Sequence, residues 1–274
     1  MNTTLALLLV ASQALAAEPK AERDLAYAEP RNPRQTIDIY TPAEGTDHPI
    51  VFWIHGGGWV QGDKAQVNNK PQAFADRGYV LVSINYRLLP EATIQQMAQD
   101  VAKAIHWTCD RAKDYGGDAS RIYIMGHSAG AQLAALVSTD DRYLQAEGLS
   151  LKIVKGCVPV DGDTYDVPLQ IATEPEKPSK SHAEKFGSPE MQKELSPVTH
   201  VASGKHIPPF FILYVADNPL TGAQAHRLAE VLQAAGIRAV EFGAEGKTHG
   251  TINADLGLAD DKATVALWAF MMSG

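Results

Sequence analysis

Residues 121–136 read RIYIMGHSAGAQLAAL, and this stretch decides the fold. A short apolar run, Arg121 to Met125, has the β-branched and aromatic content of a strand buried on both faces. Gly126-His127-Ser128-Ala129-Gly130 follows at once, and Gln132 to Leu136 then continues as a helix. A serine on a strained turn between strand and helix needs glycine two places before and two places after it, because side chains there would strike neighbouring backbone. The turn exposes the Ser128 hydroxyl and aims the unpaired N–H groups of the next helix at any negative charge that develops nearby.

Working outward from this elbow, Ile50 to Ile54, Tyr79 to Ile84, Leu151 to Val160 and Phe210 to Val215 are further apolar runs of strand character. Ala98 to Lys113, Gln224 to Ala234 and Ala263 to Met272 carry helical periodicity between and after them. Alternating strands and helices predict an α/β fold, with a mostly parallel central sheet covered by helices on both faces. In such sheets ligands bind beyond the carboxyl ends of the strands.

A second signal stands at one of those ends, where Ile50 to Ile54 runs into His55-Gly56-Gly57-Gly58-Trp59. Three successive glycines are entropically costly, so a close approach of backbone to ligand is expected there. The loop lacks the Lys-Ser/Thr ending of a P-loop and the spacing of a dinucleotide site. No His, Cys or carboxylate near His55 has metal-ligand spacing, so His55 is read as a brace for the loop.

Composition narrows the partners. The net charge of -8 opposes binding to nucleic-acid phosphates. No run reaches the roughly 18 apolar residues of a membrane span. Leu5 to Val10 followed by Ala14, Leu15, Ala16 and Ala17 has the form of a secretory leader, which predicts residues 1–17 as a signal peptide and an exported, periplasmic or secreted protein. Residues 18–274 are then one domain. Cys109 and Cys157 both lie in segments that read as buried, and are expected as free thiols. Asp161 to His206 breaks the rhythm with five prolines and many charges, and reads as a lid-like insert.

The paired motifs His55 to Trp59 and Gly126 to Gly130 resemble the α/β-hydrolase superfamily, in particular bacterial esterases that carry an HGGG motif and resemble hormone-sensitive lipase. Asn85-Tyr86-Arg87-Leu88 with Pro90 is similar to a further segment of those esterases. The resemblance implies the chain order nucleophile, acid, histidine. Downstream of Ser128, Asp217 follows the strand Phe210 to Val215, and His249 follows Ala239 to Phe242 by a short loop. His249 is preferred over His200, His206 and His226 on order and flanks. Asp217 is preferred over Asp161, Asp163 and Asp255 on its position after the strand, although Asp217-Asn218-Pro219-Leu220 departs from the Asp-Pro-Leu pattern common in the family.

The resemblance further implies an oxyanion hole from the backbone N–H groups of Gly57, Gly58 and Ala129. It implies an acyl-enzyme on Ser128 formed from esters of small or aromatic acids, with no cofactor and no metal. Trp59, Leu88, Thr164 and Tyr165 are the candidates for the substrate pocket. Arylformamidases share a similar glycine loop and serine elbow, which makes hydrolysis of an N-formyl amide the alternative. A non-catalytic binding module would predict loss of Ser128 or His249, and both are present.

Overall fold

The computed structural model describes residues 18–273, so the expected leader lies outside the described residues. Eight strands form one sheet: β1 (Lys20–Ala26), β2 (Thr36–Thr41), β3 (His48–Ile54), β4 (Val80–Ile84), β5 (Gly117–His127), β6 (Val154–Val160), β7 (Phe210–Val215) and β8 (Ala239–Ala244). Their order is β1-β2-β4-β3-β5-β6-β7-β8; β1–β2 and β2–β4 pair antiparallel and the remaining pairs are parallel. The helices are α1 (Lys70–Ala75), α2 (Ile94–Arg111), α3 (Ala129–Thr139), α4 (Arg142–Ala146), α5 (Val167–Thr173), α6 (Glu176–Phe186), α7 (Pro189–Glu194), α8 (Pro219–Ala234), α9 (Thr251–Ala254) and α10 (Lys262–Met272). This is the mostly parallel α/β sheet with flanking helices that the alternation predicts.

The central strands β3, β4 and β5 bury both faces. Ile50, Phe52 and Ile54 join a core with α2 and α3, while Val51 and Trp53 face the opposite layer with Phe74, Leu267 and Trp268. Such near-continuous burial is why these strands read as unbroken apolar runs rather than alternating ones. β1 is the contrary case, mostly exposed and carrying Lys20, Glu22, Arg23 and Asp24 at the sheet edge, which removes the apolar signal by which a strand is read. Cys109 and Cys157 are free thiols.

The insert carries the three short helices α5, α6 and α7, two of which place a proline at their first or second position, where its missing N–H costs nothing. It packs on the glycine loop: the Trp59 ring meets Phe186 at 5.0 Å and His182 at 5.9 Å, both from α6.

Candidate active site

Ser128 sits where β5 passes into α3, with φ of 56° and ψ of -121°, a left-handed conformation that a side-chain-bearing residue adopts only under constraint. Neighbouring atoms show why its flanks are glycine. A Cβ on Gly126 would stand 2.2 Å from the Gly130 carbonyl oxygen, and one on Gly130 would stand 2.2 Å from that of Ile54. The elbow is pinned to the next strand by Ser128 N–H donating to the Val160 carbonyl at 2.9 Å.

The glycine loop crosses the elbow closely, since a Cβ on Gly56 would meet the His127 carbonyl oxygen at 2.8 Å and Ser128 Cβ at 3.0 Å. Gly57 and Gly58 have φ of 118° and 60°. His55 braces the loop: its Nδ1–H donates to the Gly56 carbonyl at 2.7 Å and its ring stacks on Tyr86 at 4.5 Å. The Tyr86 hydroxyl donates to the His55 carbonyl at 2.9 Å. Burial pulls the His55 imidazole down to about 4, so it stays neutral and is no rival base. The Asn-Tyr-Arg segment is fixed in turn by Arg87, which grips Asp100 through Nε at 2.8 Å and a terminal nitrogen at 2.7 Å.

His249 lies in the turn between β8 and α9. Thr248 and Thr251 hold that turn by exchanging N–H to hydroxyl bonds of 2.8 and 3.1 Å across the histidine. The His127 Nε2–H donates to the His249 carbonyl at 2.8 Å, and burial holds the His127 imidazole down at about 4. Lys247 pairs with Asp255 at 2.8 Å, which occupies that carboxylate.

The acid facing His249 is Asp161, not Asp217. His249 Nδ1–H donates to Asp161 Oδ2 at 2.7 Å, while Asp161 Oδ1 accepts from Val215 N–H at 2.9 Å. Burial opposes ionisation of Asp161, but hydrogen bonds, these two foremost, together with the His249 charge outweigh it and hold the carboxyl below its usual range. The same hydrogen bond, with the Asp161 charge, raises the His249 imidazole above its ordinary value of 6.5. Asp217 is exposed, in the turn that leaves β7.

The reason lies in register. Val160 pairs with Leu213, so the β6 strand ends short of β7, and Asp161, at φ of 49°, turns in beneath His249. After Val215 the chain turns outward into α8, whose N-cap is Asn218, accepting from Leu220 N–H at 3.1 Å. The Asn inserted before Pro219 is thus the helix cap, and Asp217 stands outside it. Asp163 makes no hydrogen bond to His249 among the described residues; burial pushes its carboxyl up, and its electrostatic neighbours are His182, Glu174 and His249. Among the competing histidines, His200 donates to the Glu194 carbonyl at 2.7 Å, His226 pairs with Glu241, and His206 is exposed.

Ser128, His249, Gly57 and Gly58 line one open cleft of about 740 Å³. Ala129 lies buried at the first position of α3, where its N–H has no intrahelical partner. The expected pocket residues are not on this cleft. Trp59 is 2% exposed and is a bolt inside the fold, its Nε1–H donating to Gln132 Oε1 at 3.3 Å. Leu88 packs against the core, and the next residue, Leu89, donates its N–H to the Trp59 carbonyl at 2.9 Å. Thr164 is fully buried, and the Tyr165 hydroxyl accepts from Gly162 N–H at 3.1 Å. The walls are instead Trp53, Val60, Gln61, Gln66, Asn68 and Asn253, which share no periodicity or motif that a sequence reading detects.

A family model described as BD-FAE matches residues 37–232. Esterase LipQ of Mycobacterium tuberculosis is 32% identical over 232 residues, covering 80% of this chain and 54% of the relative. The isoprenylcysteine alpha-carbonyl methylesterase of Arabidopsis thaliana is 32% identical over 133 residues, covering 48% of this chain and 31% of the relative. The chain therefore spans about half or less of the length of these relatives. Among solved structures, an inhibited esterase B from Lactobacillus rhamnosis superimposes with a TM-score of 0.79 at 21% identity, covering 96% of this chain and 89% of that one. A truncated carbohydrate esterase from gut microbiota gives 0.75 at 22% identity, covering 95% and 98%. Both share the fold.

Proposed function

We propose a serine esterase: the chain belongs to the BD-FAE family of α/β-hydrolases, and its cleft carries the parts that ester hydrolysis needs. The observation that carries this reading is the His249–Asp161 hydrogen bond of 2.7 Å on the same cleft as the strained Ser128. In this mechanism His249 Nε2 takes the proton from Ser128 Oγ as the oxygen attacks the ester carbonyl. Asp161 keeps the proton on Nδ1, which leaves Nε2 free as the base, and stabilises the imidazolium that forms.

The tetrahedral oxyanion is met by the N–H groups of Gly57, Gly58 and Ala129. Collapse expels the alcohol, which takes the proton from His249, and water activated by the same histidine releases the acid. Loss of one oxyanion donor in such sites costs on the order of a hundredfold or more. The open cleft supports esters of small or aromatic acids, and the leader-like residues 1–17 support an exported enzyme.

The test is hydrolysis of p-nitrophenyl esters from acetate to decanoate, with methyl ferulate, by the mature protein and by Ser128→Ala. Cleavage of a short-chain or aromatic ester that Ser128→Ala abolishes is the expected result. Turnover of N-formylkynurenine with every ester untouched would replace this reading by the amidase one.

A further inference from the structure

Lys70 is fully buried at the start of α1, directly behind the cleft wall. Its Nζ donates to the backbone carbonyl and to Oδ1 of Asn253, both at 2.8 Å, and stands 4.4 Å from the centre of the Trp53 ring. Trp53 and Asn253 both line the cleft. Among the described residues no carboxylate pairs with Lys70, and burial alone pulls its ammonium down to about 7. A buried ammonium without a counter-charge is costly, so such groups are normally paired. Two neutral acceptors on Asn253 do not account for it, because an uncharged amide would satisfy them without that cost.

Two further observations concern the same wall. Trp53 is 1% exposed, and its indole N–H finds no acceptor among the described residues. The polar side chains lining the cleft besides the serine and histidines are the amides of Gln61, Gln66, Asn68 and Asn253, with no carboxylate among the described lining residues. The cleft lining thus presents no carboxylate to repel an anion, and the nearest one, Asp161, is paired behind His249.

We propose that the wall formed by Trp53 and Asn253 over Lys70 is a subsite for an anionic group, a carboxylate carried by the ester substrate, and that Lys70 is its specificity-determining residue. The proposal rests on the esterase reading above. In this proposal Lys70 acts through the wall, its field favouring the carboxylate, and the Trp53 and Asn253 N–H groups are assigned as its hydrogen-bond donors.

The experiment measures kcat/KM for two matched pairs at pH 7. In the first pair the charge is on the alcohol part, 4-acetoxybenzoate against 4-acetoxybenzamide. In the second it is on the acyl part, p-nitrophenyl monoadipate against its methyl ester, with p-nitrophenol release as the readout. The charged member of one pair is expected to be favoured by about tenfold, the order for a unit charge one side-chain layer away at the effective dielectric of a protein. Which pair shows the preference tells on which side of the scissile bond the subsite lies.

The charged-to-neutral ratio is expected to fall towards 1 in Lys70→Met and to fall several-fold in Trp53→Phe, which keeps the ring and loses the N–H. A purely structural role for Lys70 lowers both members alike and leaves the ratio unmoved, which overturns the proposal. A wild-type ratio below 1 in both pairs overturns it without any variant. Silence of the wild type on the neutral esters overturns the esterase reading, and this proposal with it.

Discussion

Two acidic turns lie at the same edge of the sheet, one leaving β6 with Asp161 and one leaving β7 with Asp217. Asp161 is buried, with one oxygen on His249 and the other on the Val215 N–H. Asp217 is exposed, outside the cap of α8. Both follow a strand, and both stand between Ser128 and His249 in the chain. The difference teaches that an acid is recruited by the direction in which its turn folds, which strand register decides and residue type does not.

The largest effect expected from this comparison is on Asp161. Asp161→Asn keeps the shape but removes the charge and offers His249 the wrong tautomer, so kcat should fall by about 10⁴-fold with little change in KM, measured on any ester the wild type cleaves. A fall of less than tenfold would place the acid elsewhere.

Moving the serine rather than the acid sharpens the same comparison. Gly130→Ala pushes a methyl into the Ile54 and His55 carbonyl oxygens, at 2.2 and 2.5 Å, and these belong to backbone that cannot swing away. Thermal or urea unfolding should show a loss of about 1–3 kcal/mol. Unchanged stability would mean that the elbow and the glycine loop are not in van der Waals contact at Gly130.

The pH profile reports the pairing itself. Neutral His249 is the form that accepts the serine proton, and its pKa is raised by Asp161, so kcat/KM should rise with pH through a limb above 6.5. In Asp161→Asn the raising charge is gone, and the residual activity should show that limb at lower pH. A limb that stays in place in Asp161→Asn breaks the assignment.

The smallest effect is on the other turn. Asp217→Asn should leave kcat/KM within about twofold and stability within about 0.5 kcal/mol, as for a solvated surface carboxylate.

Much of this site was legible from residue order alone. The strand before Ser128, the glycines two places either side of it and the HGGGW loop each carry a local signal, because strain, close approach and strand ends dictate particular residue types within a few positions; His249 follows instead from the chain order that the family resemblance implies and from its place after a strand. The choice between Asp161 and Asp217 had no such signal. Both satisfy the chain order, and the pairing of Val160 with Leu213 that turns Asp161 inward is a long-range property of the sheet. The departure at Asn218 was visible, and its meaning as a helix cap was the available clue. Trp59 misled for a related reason: an aromatic beside a glycine loop has the composition of a pocket wall, yet here it is buried against Phe186 and Gln132. Lys70 and Asn253 meet across 183 positions of chain, which no local pattern anticipates.

The most direct test of the central claim observes the hydrogen bond rather than the rate. The proton that His249 Nδ1 shares with a buried carboxylate gives a low-field imidazole resonance in the proton NMR spectrum at low temperature. The account predicts that this resonance is present in the wild type, survives in Asp217→Asn and is lost in Asp161→Asn; its loss in Asp217→Asn with retention in Asp161→Asn would contradict it.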